Sequence, residues 1–108
     1  NLRLDKGRIH VIDFGDSCWC HPAQDMAIAL YYLVGRPNCA DLRASFLRGC
    51  TRLRPSPEQY PGQIDTLIIG RRLDLTNWIL NVGGSEFDEM LPDWIERTET
   101  MLREAVEG

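Results

Sequence analysis

The residues best suited to chemistry are two carboxylates beside a glycine, in the segment 9–16 with the sequence IHVIDFGD. Asp13 ends an alternating apolar run, Gly15 follows, and Asp16 adds a second carboxylate three residues further on. Mg²⁺ binds one or two carboxylates and takes its other ligands from water and phosphate oxygens, so this spacing suits a magnesium site. The alternative is a buried strand that ends in a glycine turn, with Asp16 as a local cap. Spacing alone leaves both interpretations open.

Cys18, Cys20 and His21 offer a second candidate metal site. Only one residue separates the cysteines, whereas zinc sites have roughly two to four, and no second Cys/His pair follows. A small metal-binding protein that uses these three side chains is therefore an alternative function. Since nothing in the sequence signals secretion, reduced and partly buried thiols in a cytoplasmic protein are the expectation.

The elements that must position these side chains are a hairpin and about four helices. Leu2–Leu4 and Ile9–Phe14 alternate, and the polar link at residues 5–8 contains a glycine, which is typical of a β-hairpin. We expect the second strand to be buried, with Asp13 at its mouth and Gly15 taking the sharp turn. Apolar periodicity with helix-starting and helix-ending residues predicts helices over about 24–34, 38–52, 62–82 and 93–106.

These elements predict an α+β fold that is mostly α, in one partial domain spanning residues 1–108. Residues 1–16 form the hairpin with the metal-binding aspartate, and residues 22–108 form the helical part. Arg71 and Arg72 interrupt the apolar stripe of the long helix, and we expect exposed or snorkelling side chains there. Alternatively, one of them pairs with a buried carboxylate such as Asp25. Three apolar residues are expected on the inward faces of their helices: Leu53, Trp78 and Val82.

Composition narrows the classes of partner. The 108 residues have a formal charge of −4, which argues against a general binder of nucleic acid or other polyanions. The longest apolar run, Met26–Val34, is too short to span a bilayer, and no N-terminal run resembles a signal peptide. We therefore expect a cytoplasmic protein without nucleic-acid or membrane partners.

Three consecutive segments resemble a known family. Asn1–Leu4, then GRIHVIDFGD at 7–16, then CHPAQDMA at 20–27 resemble the C-terminal lobe of the aminoglycoside phosphotransferase family. That family includes choline kinase-like and homoserine kinase-like enzymes, and its fold is related to protein kinases. Its pattern is H-x-D-x-x-x-x-N, a short hairpin, I-D-F/W-x-D and a G-H-P-x-x-D-x-A helix start. Cys20 stands where the family often has glycine, and the resemblance is weak beyond about Gly35.

The resemblance implies roles residue by residue. Asn1 matches the asparagine that closes the catalytic loop, and Asp13 matches the aspartate that holds the metal on the nucleotide phosphates. Both would therefore bind Mg²⁺ and, through it, ATP. Asp16 matches an acidic position of uncertain role and is a further candidate metal ligand. His21 and Asp25 match structural positions near the site, and Asp25 is expected to brace the loop through hydrogen bonds.

The implied function is that of the C-terminal part of an ATP- and Mg²⁺-dependent kinase acting on the hydroxyl of a small molecule. The aspartate that orients this hydroxyl would lie five positions before Asn1, so the 108 residues alone are expected to be inactive. The alternative is a non-catalytic helical interaction module derived from a truncated kinase-like gene. An open hairpin edge and exposed apolar surface predict a homodimer or larger assembly. The acidic balance favours a cationic acceptor.

Overall fold

A hairpin followed by helices makes up the computed structural model, which describes residues 1–108. The elements are β1 (Leu2–Asp5), β2 (Arg8–Val11), α1 (Pro22–Tyr31), α2 (Cys39–Thr51), α3 (Gln63–Val82), α4 (Ser85–Asp88) and α5 (Leu91–Glu107). The predicted α+β fold class, mostly α, is confirmed, and the four predicted helices lie close to their expected positions. No helix combines the length and the apolar character needed to cross a bilayer.

The two strands are joined by a tight turn. β1 and β2 pair antiparallel, and the turn residues Lys6 and Gly7 both have positive φ, at 46° and 76°. Two central residues with φ > 0 are typical of the type I′ turn, whose twist matches that of the flanking strands. Glycine adopts this conformation without steric strain, so the Lys6-Gly7 pair favours the hairpin and sets its register.

One face of the hairpin is apolar and exposed. Leu2 lies opposite Val11 and Leu4 opposite Ile9, so these four side chains share one face and form what we call the apolar hairpin face. Each of them is between 58% and 76% exposed. The expected burial of the second strand is therefore wrong, because the helices pack elsewhere and residues 1–20 are all exposed.

The core lies between α1 and α3. Pro22 occupies the first turn of α1, where backbone N–H groups have no partner within the helix, so its missing N–H costs no hydrogen bond. The buried cluster consists of Ala23, Met26, Ala27, Leu30, Ile64 and Ile68. Phe46, Leu47 and Cys50 of α2 pack against this cluster, and Arg43 of α2 forms a 2.7 Å ion pair with Asp65 of α3. Only ten of the 108 residues are buried, so much apolar surface stays open to solvent.

A buried arginine fastens α5 to α3 and α1. Arg72 is only 8% exposed. Its Nε donates to Thr98 Oγ1 at 2.8 Å, one terminal nitrogen donates to the Trp94 carbonyl at 2.9 Å, and the other donates to the Tyr31 hydroxyl at 3.1 Å. The guanidinium carbon also lies 3.5 Å from the centre of the Trp94 ring. The expected exposure of Arg72 is therefore wrong, because neutral acceptors and an aromatic face satisfy its charge.

Three other expectations about inward faces are wrong. Leu53 is 90% exposed because α2 ends at Thr51, so the apolar stripe of that helix stops before it. Trp78 and Val82 are 54% and 55% exposed. Trp78 packs edge-on against Phe87 of α4, with the ring centres 5.7 Å apart. Trp78 and Val82 thus lie on an outer side of α3, whereas Ile79 between them is buried.

Replacing Arg72 with alanine removes three hydrogen bonds and the contact of the guanidinium with the Trp94 ring. We expect Arg72→Ala to lower the free energy of unfolding by about 3 kcal/mol. Urea denaturation followed by circular dichroism measures the change. Arg97→Ala is the matched control, since Arg97 makes only an exposed ion pair with Asp93, and we expect a loss under about 1 kcal/mol there. Equal losses in the two variants would contradict the anchoring role of Arg72.

Candidate functional site

The hairpin register brings Asn1 next to the chain segment that carries Asp13. Leu2 lies opposite Val11, and one step further the Ile12 N–H donates to the Asn1 carbonyl at 3.0 Å. Asp13 is the next residue along the chain. Asn1 precedes the first strand and Asp13 follows the second, so antiparallel pairing places both oxygen-bearing side chains at the same end of the sheet.

Asp13 itself adopts a strained backbone conformation. Its φ is 62°, in the left-handed region that L residues other than asparagine and aspartate rarely enter. Gly15 has no positive φ, and a Cβ built on it would lie 3.7 Å from Asp13 Oδ1, an ordinary contact. The turn expected at Gly15 is present, because Gly15 and Asp16 are the central residues of a turn closed by the 3.0 Å hydrogen bond from the Ser17 N–H to the Phe14 carbonyl. The other non-glycine residue with positive φ is Lys6, which belongs to the hairpin turn, and strained backbone elsewhere is concentrated at functional sites, so Asp13 is a candidate functional residue.

A cleft of about 870 Å³ opens beside these residues. Its lining comprises Asn1, Asp13, Asp16, Ser17, Cys18, Trp19, Cys20, Pro22, Asp25, Ile28, Tyr32 and Arg71. The Ser17 N–H donates to the Phe14 carbonyl at 3.0 Å, and this turn folds the segment with Asp16 back toward the cleft. Asn1, Asp13, Asp16 and Asp25, all singled out from the sequence, thus border one space.

His21 and Asp25 occupy the start of α1. His21 is the N-cap, and its Nδ1 accepts a hydrogen bond from the Ala23 N–H at 3.2 Å. That contact satisfies one of the free donors at the helix start and fixes where the loop enters the helix. Asp25 is exposed in the first turn, and no hydrogen bond joins its carboxylate to the loop. Its expected role in bracing the loop stays a prediction.

The two loop cysteines are exposed free thiols. Partial desolvation raises the pKa of the Cys20 thiol, and Cys18 and Asp25 nearby raise it further. The neighbouring His21 already uses Nδ1 in the helix cap. Cys18, Cys20 and His21 are not gathered into a group that could hold a metal ion, which disfavours the cysteine–histidine metal site.

Sequence reasoning assigned no site role to two residues that the structure places in the cleft. Arg71 of α3 is half-buried there, and its terminal nitrogen Nη2 donates to the Tyr32 hydroxyl at 3.4 Å. Arg71 is the only basic side chain of the cleft lining. The sequence signal for Arg71 was the pair of arginines that interrupts the apolar stripe of the long helix. The pair alone does not reveal which of the two arginines faces the cleft.

The donor set at the hairpin end fits magnesium. Carboxylate and amide oxygens are hard ligands, and Asp13, Asp16 and Asn1 supply them at one border of the cleft. No group of three acidic, histidine or cysteine side chains is gathered into a ready-made metal cage. Mg²⁺ does not require such a cage, since it keeps several waters and shares its other positions with substrate phosphates.

Comparison with known proteins supports the resemblance seen in the sequence. Residues 1–60 match the phosphotransferase enzyme family. The match covers more than half of the chain and includes the hairpin, α1 and α2. No curated protein and no solved structure matches the chain. The match contains Asn1, Asp13 and the loop that leads into α1, the same residues that border the cleft. The chain therefore belongs to the phosphotransferase enzyme family, the aminoglycoside phosphotransferase family that its N-terminal motifs resemble.

Proposed function

We propose that this chain forms the acceptor-side part of a kinase that transfers the γ-phosphoryl group of ATP to the hydroxyl of a small molecule. The observation that carries the proposal is the pairing of Asn1 with the segment of Asp13, whose strained backbone directs a carboxylate to the border of a cleft. Such strain persists where the surrounding structure requires it, and the family match gives it a reason.

In this proposal Asn1 and Asp13 hold Mg²⁺ through the amide and carboxylate oxygens. The bound ion neutralises the charge of the nucleotide phosphates, which is the main requirement of phosphoryl transfer. Asp16 adds negative charge at the same border and either binds the ion directly or hydrogen-bonds to its waters. The helical wall made by α1 and α3 then faces the acceptor, and its side chains determine which hydroxyl compound is accepted.

Turnover also needs a group that orients the acceptor hydroxyl. The resemblance assigns that role to an aspartate five positions before Asn1 and nucleotide binding to a lysine of a small lobe. We therefore expect the 108 residues, assayed alone with ATP and a panel of amino alcohols and aminoglycosides, to form no phosphorylated product. Product formation that disappears in Asp13→Asn would contradict this expectation.

A second candidate function is a helical interaction module without catalysis. The observation that favours it is the apolar hairpin face, four side chains that the rest of the chain leaves exposed. Two strands are marginally stable by themselves, and unpaired strand edges invite pairing with another chain. A second copy of this chain offers the same edge and the same apolar face, so a homodimer would satisfy both.

Magnesium-dependent nucleotide binding separates the two functions. We expect the chain to bind Mg·ATP through the metal alone, without the lysine of the small lobe, and Asp13→Asn to abolish that binding, because the amide keeps the left-handed backbone but loses the charge that holds the ion. Isothermal titration of the full chain with and without Mg²⁺ measures this. Asp74→Asn, an exposed carboxylate of α3 outside the cleft, is the matched control and should bind as the unmodified chain does. Equal Mg·ATP binding by Asp13→Asn and Asp74→Asn would show that Asp13 does not hold the metal.

Self-association tests the apolar hairpin face. We expect the chain to sediment as a dimer or larger species, and Ile9→Lys to shift it to monomer, since a charge would then enter the buried interface. His10→Lys is the matched control, because His10 lies beside Ile9 on the opposite face of the strand. Analytical ultracentrifugation distinguishes the species, and a monomeric unmodified chain at high concentration would refute the dimer.

A further inference from the structure

Two adjacent arginines of α3 have opposite hydrogen-bonding situations. Arg72 uses all three of its nitrogens on protein acceptors. Arg71 makes a single 3.4 Å hydrogen bond, to the Tyr32 hydroxyl, and its Nε is out of solvent with no partner at all. Arg71 is therefore under-satisfied where it lies, and a desolvated donor without a partner is unfavourable.

No carboxylate compensates the charge of Arg71. The only ion pairs in the chain are Arg43–Asp65 and Asp93–Arg97. Three aspartates border the same cleft, yet none lies within 4.0 Å of the Arg71 guanidinium nitrogens. The alternative that Arg71 pairs with Asp25 is therefore wrong. The cleft thus contains one unpaired cation on α3, with Asp13 and Asp16 at the hairpin end and Asp25 in the first turn of α1.

Arginine and tyrosine together form a donor pair suited to an oxyanion. A guanidinium offers planar N–H groups that match the two oxygens of a carboxylate or the oxygens of a phosphate. The Tyr32 hydroxyl accepts from Arg71 through its oxygen and keeps its own hydrogen for donation. Tyr32 ends α1 and Arg71 lies in α3, so both donors stand on the two best-packed helices of the chain.

We propose that Arg71 and Tyr32 bind an oxyanion of the acceptor substrate, which makes that acceptor a hydroxyl compound with a carboxylate or phosphate group. The inference rests on the proposed phosphotransferase function for the reaction. Its evidence is separate, since Arg71 lies outside the matched residues 1–60. It reverses the expectation of a cationic acceptor: Asp13 and Asp16 lie at the hairpin end, where a metal would neutralise them, and Arg71 offers a cation on the helical wall, which also carries Asp25 of α1.

The nucleotide is the other possible source of an oxyanion, and the test separates it from the acceptor. The full chain, labelled with ¹⁵N-arginine, is titrated with glycerate and with glycerol phosphate in the presence of Mg²⁺, and separately with Mg·ATP and with choline. We expect both hydroxylated anions to shift the Arg71 Nε–Hε resonance, and choline to leave it unchanged. Arg71→Gln should weaken binding of these anions about tenfold, and Tyr32→Phe should weaken it less.

Controls keep a folding defect apart from a binding defect. Arg103→Gln removes an exposed arginine of α5 outside the cleft and should bind the anions as the unmodified chain does. Arg71→Lys keeps the charge without the planar fork, so we expect intermediate affinity. Thermal unfolding of Arg71→Gln should match that of Arg103→Gln, because Arg71 makes only one long hydrogen bond.

Each outcome decides one claim. Anion binding that Arg71→Gln weakens, with Mg·ATP binding unaffected by that variant, supports the inference. Mg·ATP binding without any shift of Arg71 by glycerate or glycerol phosphate overturns the inference and leaves the proposed function standing. An Arg71 shift with Mg·ATP alone assigns the oxyanion to the nucleotide and also overturns it. Anion binding at Arg71 without any Mg·ATP binding keeps the oxyanion site but overturns the proposed function.

Discussion

The burial of the Arg72 guanidinium is the constraint on which the helical arrangement depends. A cation removed from water needs a partner for each donor, and here all three acceptors are neutral. Two acceptors come from α5 and one from α1, so satisfying Arg72 fixes α5 and α1 against α3. Trp94 adds its ring face to the guanidinium and donates from its indole N–H to Thr76 Oγ1 at 2.8 Å. One side chain thereby joins three helices.

That constraint also sets the direction of the neighbouring residue. Successive residues of an α-helix are about 100° apart around its axis. Since Arg72 is held between α1 and α5, Arg71 must point to another side of α3, and there it meets Tyr32 and the cleft. Arg71 cannot reach the acceptors of Arg72 without displacing the Arg72 guanidinium. Its unsatisfied Nε is therefore a consequence of the packing that makes the helical wall rigid.

Local sequence patterns predicted the strands and helices well, but not which of their side chains are buried. The glycine-containing link at residues 5–8 and strand alternation were enough to predict the hairpin, whereas the proximity of Asn1 to the segment of Asp13 follows from a strand register that only the structure shows. The burial of Arg72 could not be predicted, since its partners lie 22 to 41 residues away in sequence. The exposure of the apolar hairpin face and the positive φ of Asp13 likewise depend on what surrounds the strand, which periodicity does not report.

The charge of the cleft explains how an acidic chain accommodates an anionic acceptor. With three aspartates and one arginine, the cleft lining has a formal charge of −2. That charge repels an oxyanion, so Arg71 alone binds one weakly. A divalent cation at Asp13 brings the formal sum to zero and removes the repulsion. In the proposed site, metal binding at the hairpin end would therefore strengthen anion binding at Arg71, and by thermodynamic linkage the anion would strengthen metal binding by the same factor.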